Sequence, residues 1–540
     1  MLLVLLGVWI NPLLDSIVLG VIDDLFVVSS NASKGYDSFV FSGDDAEAAV
    51  LVNITLFDLT NPEDVLAGKA KPCLAEKGPF IYKLFLHKYN ISFYDGGNVA
   101  RFLQRQYVVP ATPEDDVSKV NITTPNVIFQ TALGLSASLP TLERELIMAG
   151  LYPSNVSNVT QQLGYLFDEY TGDQLLFGFN VTLNALGGLS LRYPGLFGNA
   201  SIADVLKGKH YISQYTGAMA QYGGKVTGMC ANYMLAYHNA TTLQADPLIT
   251  LDEMEKAVSG KVSSKPLKPL WGSPRANRVA GSSNDRFCAP IKDTKDSLPL
   301  FDFFGVRSIE LERDRSAEFQ GVKLWRWRYH PSQWKNSSEY PPNADFDMNG
   351  PSGMWNMSAV LGGTPLFFSK PYFLDASSDV RDGVECLRRP DKAFDDTYLD
   401  VEPITGLTLL TRQTMQGNMH LTPLSIGGNL DYFTNLEPVF LPMYKFEIVS
   451  SISNKTASLF SIMHLVNQVE AHGPTWLVAI GIVMVTAGSI LLGFVASHVL
   501  VTNKHVFDHE EEIEELAEST MNVGRTSSID DGTFSPQNRM

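Results

Sequence analysis

Between Gly473 and Thr502 the chain carries no Asp, Glu, Lys or Arg. Within that stretch, Trp476 to Val501 is a mostly apolar run of 26 residues, enough to cross ~30 Å of hydrocarbon as a tilted helix. Core helices of soluble domains seldom run so long without a charge, so a membrane-spanning helix is expected over 475–502. Trp476 suits one interface, and Lys504 and His505 just beyond the other place the C-terminal side in the cytosol. Residues 503–540 then form an acidic cytosolic tail. From Lys504 onward it holds nine acids against three bases, so it accounts for −6 of the chain's net −17. It has neither a tyrosine nor a leucine pair of the kind used in lysosomal sorting, which puts the plasma membrane first and the endolysosomal membrane second.

At the other end, Met1 to Ile10 is strongly apolar, but Asn11, Pro12 and Asp15 interrupt the run and the first basic residue is Lys34. A signal peptide would begin with basic residues, and ten residues do not span a bilayer. The expectation is a membrane segment over 1–25 that is the remnant of a longer first helix. Asn-x-Ser/Thr occurs at Asn31, Asn53, Asn90, Asn121, Asn155, Asn158, Asn180, Asn199, Asn239, Asn336, Asn356 and Asn454. All lie before the C-terminal apolar run, which assigns 26–474 to a glycosylated ectodomain in the secretory lumen. The four cysteines, Cys73, Cys230, Cys288 and Cys386, fall in the same region. That compartment permits one or two disulfides, and the spacing does not choose among pairings or exclude free thiols.

The ectodomain reads as β-rich α+β. In Phe80 to Lys88, the apolar residues Phe80, Tyr82, Leu84 and Leu86 recur at every second position, with Lys83 and His87 on the other face. Trp325, Trp327 and Tyr329 alternate with Arg326, Arg328 and His330 until Pro331 ends the run, so a strand with two chemically distinct faces is expected. A helix is expected after Pro140, carrying Leu139, Leu142, Leu146 and Ala149 on one face and ending near Gly150. A second is expected from about Thr160 to Phe167. The strand signals thin out here, so a helical cap is expected over about 126–180.

No catalytic constellation is legible. The chain has no nucleophile elbow, HExxH, phosphate loop or GxGxxG, and its ectodomain histidines form no ligand pairs. Asp345, Asp347, Asn349 and Gly350 match the first half of a calcium loop, but Asn356 stands where the bidentate Glu belongs and prolines deny the flanking helices. An Asx-rich turn is expected instead. His505 and His509 on the tail make no convincing metal site, and Asp395 and Asp396 alone single out no hydrolase. No metal or cofactor is expected. A net charge of −17 and a pI near 5.0 argue against a nucleic-acid partner.

Three segments carry a family resemblance. The first runs from Leu59-Thr60-Asn61-Pro62-Glu63-Asp64-Val65-Leu66 through Gly68 and Glu76 to Gly78-Pro79-Phe80-Ile81-Tyr82. In the second, Gly363-Thr364-Pro365 leads to Pro371-Tyr372-Phe373-Leu374. The third is Thr397-Tyr398-Leu399-Asp400-Val401-Glu402-Pro403-Ile404-Thr405-Gly406, which reads as a strand and a tight turn before a returning strand, Leu407 to Thr411. Together they resemble the scavenger receptor class B family, most clearly over 51–110 and 360–447. The resemblance implies an ectodomain held by a membrane helix at each end, with an irregular antiparallel β-barrel, an apical helical bundle and an internal lipid tunnel. With no nucleophile and base legible, no enzymatic activity is expected. The implied partners are lipids (fatty acid, sterol, phospholipid), lipoprotein particles, or a protein ligand at the apical helices. A lipid receptor that passes cargo down the tunnel is the first reading. A receptor for adhesion, or for sorting a luminal enzyme to endolysosomes, is the second.

The chain also departs from the family pattern. Its four cysteines leave none beside the membrane segments to carry palmitate, and they do not fall on the family's disulfide pattern. The span 230–275 looks like an insertion. The apical segment holds Glu143, Glu145, Asp168 and Glu169 against Arg144, so a basic apex is not carried over. Asp395 and Asp396 stand near a position where the family has His, in what is expected to be a surface loop.

Overall fold

The computed structural model describes residues 27–34, 36–42, 50–136, 166–183, 189–193, 218–222, 234–236, 269–292, 296–361, 363–425 and 431–452. The chain divides into residues 15–464 and a second unit made of residues 1–14 with 465–540; every described residue belongs to the first. The apolar runs at both termini, the acidic tail and the helix expected after Pro140 therefore lie outside the described residues. Among the described residues no helix is long and apolar enough to cross a membrane.

The strands, in chain order, are β1 (Phe41–Ser42), β2 (Val50–Leu59), β3 (Leu74–Tyr94), β4 (Val99–Pro110), β5 (Asn121–Pro125), β6 (Phe167–Thr171), β7 (Phe179–Leu183), β8 (Leu189–Tyr193), β9 (Ala218–Tyr222) and β10 (Met234–Ala236). They continue as β11 (Ser297–Asp302), β12 (Arg307–Phe319), β13 (Val322–Tyr329), β14 (Trp355–Asn356), β15 (Leu366–Ser369), β16 (Tyr398–Val401), β17 (Thr408–Leu421), β18 (Leu424–Ser425), β19 (Asp431–Tyr432) and β20 (Val439–Ser451). Fourteen of them form one sheet in the order β10-β9-β4-β3-β2-β20-β17-β16-β13-β12-β11, with β1 on β3, β15 on β17 and β14 on β15. Its strand pairs are all antiparallel. Among the described residues the path ends at β10 and β11 without pairing them, so the sheet is open where the resemblance implied a barrel.

The two strands read from alternation are both present. Tyr82 and Leu84 are buried on the inner face of β3, Phe80 and Leu86 pack against the same core, and Lys83 is exposed. Trp327 and Tyr329 are buried in that core from β13. The inner face is a continuous apolar row, with Phe80 opposite Ile54, Ile54 opposite Phe446 and Phe446 opposite Met415. Val322 and Leu324 at the other end of β13 join Leu407 and Leu409 in a second, smaller core. The returning strand after the third motif extends to Leu421, well beyond Thr411, because β20 supplies a pairing partner along it from Leu410 to Leu421.

The expected cap region is mixed. A helix does occupy Val127–Ser136 and another Gly172–Phe177. Phe167, expected to close a helix, instead opens β6, which pairs in register with β5 from Pro125↔Phe167 to Asn121↔Thr171. Its core contact as a buried strand residue outweighs the local helical pattern. Residues 160–165 of that expected helix lie outside the described residues.

Candidate functional site

The first two segments that carry the resemblance meet through Glu76 and Tyr372, and the third pairs with β17, the strand that β15 also joins. Gly78, at φ +114°, sits where a side-chain Cβ would lie 2.7 Å from the Ile54 carbonyl, so only glycine fits beside the register shift in β2. Glu76, four residues before Phe80, accepts a hydrogen bond from the Tyr372 hydroxyl at 2.8 Å. Tyr372 in turn receives the Lys445 ammonium, lies 3.6 Å under the Arg388 guanidinium, and donates its backbone N–H to Gln416. Burial, then Glu76, pushes the Tyr372 phenol above its ordinary range, while burial lowers the Lys445 amine. Arg388 holds Asp395 with both terminal nitrogens, at 2.7 and 2.5 Å.

The third motif is built around Glu402. Its carboxylate accepts from the backbone N–H groups of Ile404 and Thr405 and from the Thr405 hydroxyl, which closes the turn after β16. Gly406 has φ +72°, and a Cβ there would meet the Phe287 carbonyl at 2.2 Å. Residues 285–291 dock on the turn through Phe287 N–H to the Gly406 carbonyl, Ile291 N–H to the Pro403 carbonyl and buried Arg286 Nε to the Thr405 carbonyl.

Asp395 and Asp396, expected in a surface loop, are buried instead, at 3% and 2% exposure. Asp396 pairs with Arg328 at 3.0 Å and Lys370 at 2.9 Å, so its charge is compensated by residues distant in sequence. Arg328 also pairs with Asp314 at 2.7 Å, and Lys370 with Asp375 at 2.7 Å. The basic face of β13 is thus one end of an ionic row across the outer face of the sheet. Arg326 holds Asp400 with two bonds of 2.7 and 2.6 Å and stacks 3.7 Å over Tyr398, and Arg412 pairs with Glu447 at 2.7 Å. Asn53 ends the row by donating to Glu447 at 3.1 Å.

On the inner side, Arg307 lies 3.6 Å over Trp355 and 4.8 Å from Phe346. Desolvation brings its guanidinium down to about 9 despite the opposing charge of Asp302. Asp302 accepts from the Tyr329 hydroxyl at 2.5 Å and from Gln413 at 3.2 Å, and burial pushes its carboxyl up. This cluster pins the β11–β12 hairpin and leads to no reacting geometry.

The inner face carries a different charge at its far end. Continuing the alternation of Tyr82, Leu84 and Leu86 by one step places Lys88 on the core side of β3, opposite Gln104 of β4. Its ammonium donates to the Phe39 carbonyl at 3.1 Å, and lies 4.3 Å from the Phe39 ring and 5.4 Å from that of Phe102. Desolvation is the main influence on this amine and lowers it; Asp285 opposes that shift. Asp285 belongs to the segment docked on the turn, and its backbone carbonyl accepts from Thr408 at the start of β17. Asp285 is itself an exposed residue, and its carboxylate accepts from the Ser283 hydroxyl at 3.4 Å. Among the described residues no direct ion pair joins Lys88 to Asp285. At this same end of the sheet the chain enters β2 at Val50 and leaves β20 at Ser451, paired with Leu84 and Leu410.

The comparisons place this architecture. Residues 1–492 match the profile of the CD36 family. The chain belongs to that family. It is 26% identical over 409 residues to rat scavenger receptor class B member 1, covering 76% of this chain and 72% of the relative. It is 25% identical over 434 residues to the cattle protein of the same name, covering 80% and 77%. Human lysosome membrane protein 2 is 24% identical over 468 residues, covering 84% and 85%. This CD36-family chain is accordingly a member of a family of non-enzymatic receptors.

Among the candidate residues, Cys73 and Cys386 are joined by a disulfide, with their Cα atoms 5.1 Å apart. It ties the first resembling segment to the loop before the third, beside the bridge between Cys73 and Glu385. Cys288 is also disulfide-bonded; Cys230 lies outside the described residues. Asn31, Asn90 and Asn121 are exposed, the last donating to Glu169 at 2.6 Å. Asn336 and Asn356 are half-buried; Asn356 donates to Asp347 at 2.9 Å, and Asn336 caps the N–H groups of Ser338 and Glu339. Asn180 lies in β7, while Asn155, Asn158, Asn199, Asn239 and Asn454 lie outside the described residues. Asp345 and Asp347 turn to different partners: the first takes Ser273 and Arg275, the second Asn349 and Asn356. The sequence signal for Lys88 was its parity on β3, which the run ending at Leu86 stopped one step short of.

Proposed function

We propose that this CD36-family chain is a membrane-anchored receptor that captures lipid, free or from lipoprotein particles, and passes it through the ectodomain interior. The supporting observation is family membership combined with a long apolar inner sheet face whose far end is charged and lies where the chain enters β2 and leaves β20. In this reading the ectodomain is 26–474, helices within 1–25 and 475–502 span the membrane, and the apolar inner face of the sheet lines the conduit. An apolar conduit offsets ~0.8 kcal/mol for each CH₂ group otherwise held in water, so transfer needs no covalent chemistry. Fatty acid, sterol and phospholipid are the proposed cargo. The exposed sequons Asn31, Asn90 and Asn121 are proposed glycan carriers. The plasma membrane is the proposed site of action.

Native mass spectrometry with lipid extraction, on full-length chain purified from a secretory host, tests the reading. Near-stoichiometric co-purified or exchangeable lipid is expected. A chain that arrives lipid-free and takes up none on addition would sink it. The similarity to lysosome membrane protein 2 extends over 84% of the chain, and supports the endolysosomal membrane as a second proposed site of action.

A further inference from the structure

We infer that the Arg307 guanidinium is an internal anchor for the carboxylate of a long-chain amphiphile, its Nε and Nη2 gripping both oxygens while the hydrocarbon lies along the apolar inner face. This inference rests on the lipid-transfer reading above and adds to it the residue that holds the head of an acidic cargo.

Arg307 opens the buried face of β12, in alternation with Ile309 and Leu311, and is 2% exposed. A cation so placed normally meets an acid or gives its donors to other protein groups. Among the described residues Arg307 does little of either: Nη1 faces the Met348 sulfur at 3.5 Å, while Nε and Nη2 have no acceptor. Asp302 is its direct cross-strand partner on β11, yet among the described residues no ion pair joins them. That carboxylate is committed elsewhere, to the Gly305 N–H at 2.6 Å, the Tyr329 hydroxyl at 2.5 Å and the Gln413 amide at 3.2 Å. Nε and Nη2 share the edge of a guanidinium that takes a carboxylate in two parallel bonds. Arg326 shows that use in the same protein, its Nε and Nη2 holding the two oxygens of Asp400 at 2.7 and 2.6 Å. On Arg307 the equivalent edge is buried without an acid of the protein on it. Aromatic rings wall the rest of the group, Trp355 at 3.6 Å and Phe346 at 4.8 Å, with Trp334 stacked on Trp355 at 4.4 Å. Phe304, in the turn of the same hairpin, meets Phe446 of the inner apolar row at 4.5 Å, so hydrocarbon on that row leads to the hairpin that carries Arg307. A carboxylate reaching the edge gains two charge-assisted hydrogen bonds and compensates a desolvated cation, whereas a hydroxyl head offers one oxygen and no charge.

The test measures the binding of oleate and oleyl alcohol, which share one hydrocarbon chain, to the full-length protein in phosphatidylcholine nanodiscs. Wild type is expected to bind oleate about tenfold more tightly than the alcohol, the margin of charge-assisted over neutral hydrogen bonds. Arg307→Met is expected to bring the ratio to about one. Arg307→Lys is expected to lose most of it, because an ammonium has no planar two-donor fork, and a full wild-type ratio there overturns the two-oxygen grip. Acetate, a carboxylate without the chain, is expected to leave bound oleate in place at equal concentration; displacement overturns the amphiphile as the ligand. An Arg307→Met protein with the wild-type ratio, or with both probes weakened equally, overturns the inference and leaves Arg307 as packing for Trp355. Should that variant fail to fold, NMR of an isotope-labelled oleate carboxyl on wild type decides. A head held by the guanidinium stays ionised below the ordinary carboxyl range of about 4, and one that titrates at or above that range overturns the inference. Wild type binding neither probe takes down the proposed function and this inference together. Both probes bound with a ratio of one removes this inference alone.

Discussion

Replacing Asp396 with asparagine removes the carboxylate shared by two buried cations. Asp396 is 2% exposed, and the Arg328 and Lys370 side chains it neutralises are each 9% exposed. Removing one member of a buried ion pair typically costs about 3–5 kcal/mol, because the remaining charge stays desolvated. Here Arg328 keeps Asp314 and Lys370 keeps Asp375, both more accessible acids, so the expected loss is the lower figure, about 3 kcal/mol. An unfolding entropy of ~2.1 cal/mol/K per residue over a cooperative unit of ~400 residues gives about 0.8 kcal/mol/K, hence a fall in Tm of about 3–4 °C. Differential scanning fluorimetry of the full-length chain measures it. Asp382→Asn is the control: its pair with Arg381 is exposed on both sides, at 64% and 49%, and should shift Tm by well under 1 °C. If Asp396→Asn melts with the control, the ionic row is solvated and the argument from burial fails.

Gly406→Ala forces a Cβ into the Phe287 carbonyl at a positive φ, so the turn cannot close against residues 285–291; loss of surface display in a trafficking assay is expected, and normal display contradicts it. Cys386→Ser opens a disulfide spanning 313 residues, for which loop-closure entropy gives an upper figure of about 5–6 kcal/mol; a markedly lower Tm is the readout, and an unchanged one refutes it. Asn53 is committed to Glu447 within the sheet, so peptide mapping should find no glycan there while finding them at Asn31 and Asn90; an occupied Asn53 overturns that placement. His420 stacks on Phe440 at 4.2 Å, and burial lowers its pKa below 6.5. The unfolded chain then binds the proton first, so stability is full above about pH 6.5 and falls as the pH drops through the folded value, by at most about 1.4 kcal/mol per pH unit. His420→Gln should flatten the acid limb of a Tm–pH curve, and an unaltered limb would falsify the assignment.

What the sequence disclosed and what it hid follow one physical divide. Alternation is a local signal, so β3 and β13 could be read from Phe80 to Leu86 and from Trp325 to Tyr329 without knowing their neighbours. The turn at Glu402 to Gly406 was equally legible, because its hydrogen bonds close within five residues. The destination of Asp395 and Asp396 was not. A pair of acids reads as surface unless cations are brought to it, and Arg328 and Lys370 arrive only when β13 and the segment after β15 fold against the loop. The pairing of Cys73 with Cys386 was hidden for the same reason. Phe167 shows the converse: a locally helical pattern gave way to a strand because β5 offered a register partner.

On the outer face Asn53, Glu447, Arg412, Tyr398, Arg326 and Asp400 form a row in which the contacts shown are met within the protein, so changes there should move stability. Arg326 holds Asp400 with two bonds, and their side chains are only 14% and 2% exposed, so taking the charge from the carboxylate leaves a desolvated guanidinium behind. Asp400→Asn should therefore lower Tm as Asp396→Asn does, and a variant that melts with wild type would show that this pair, too, is solvated.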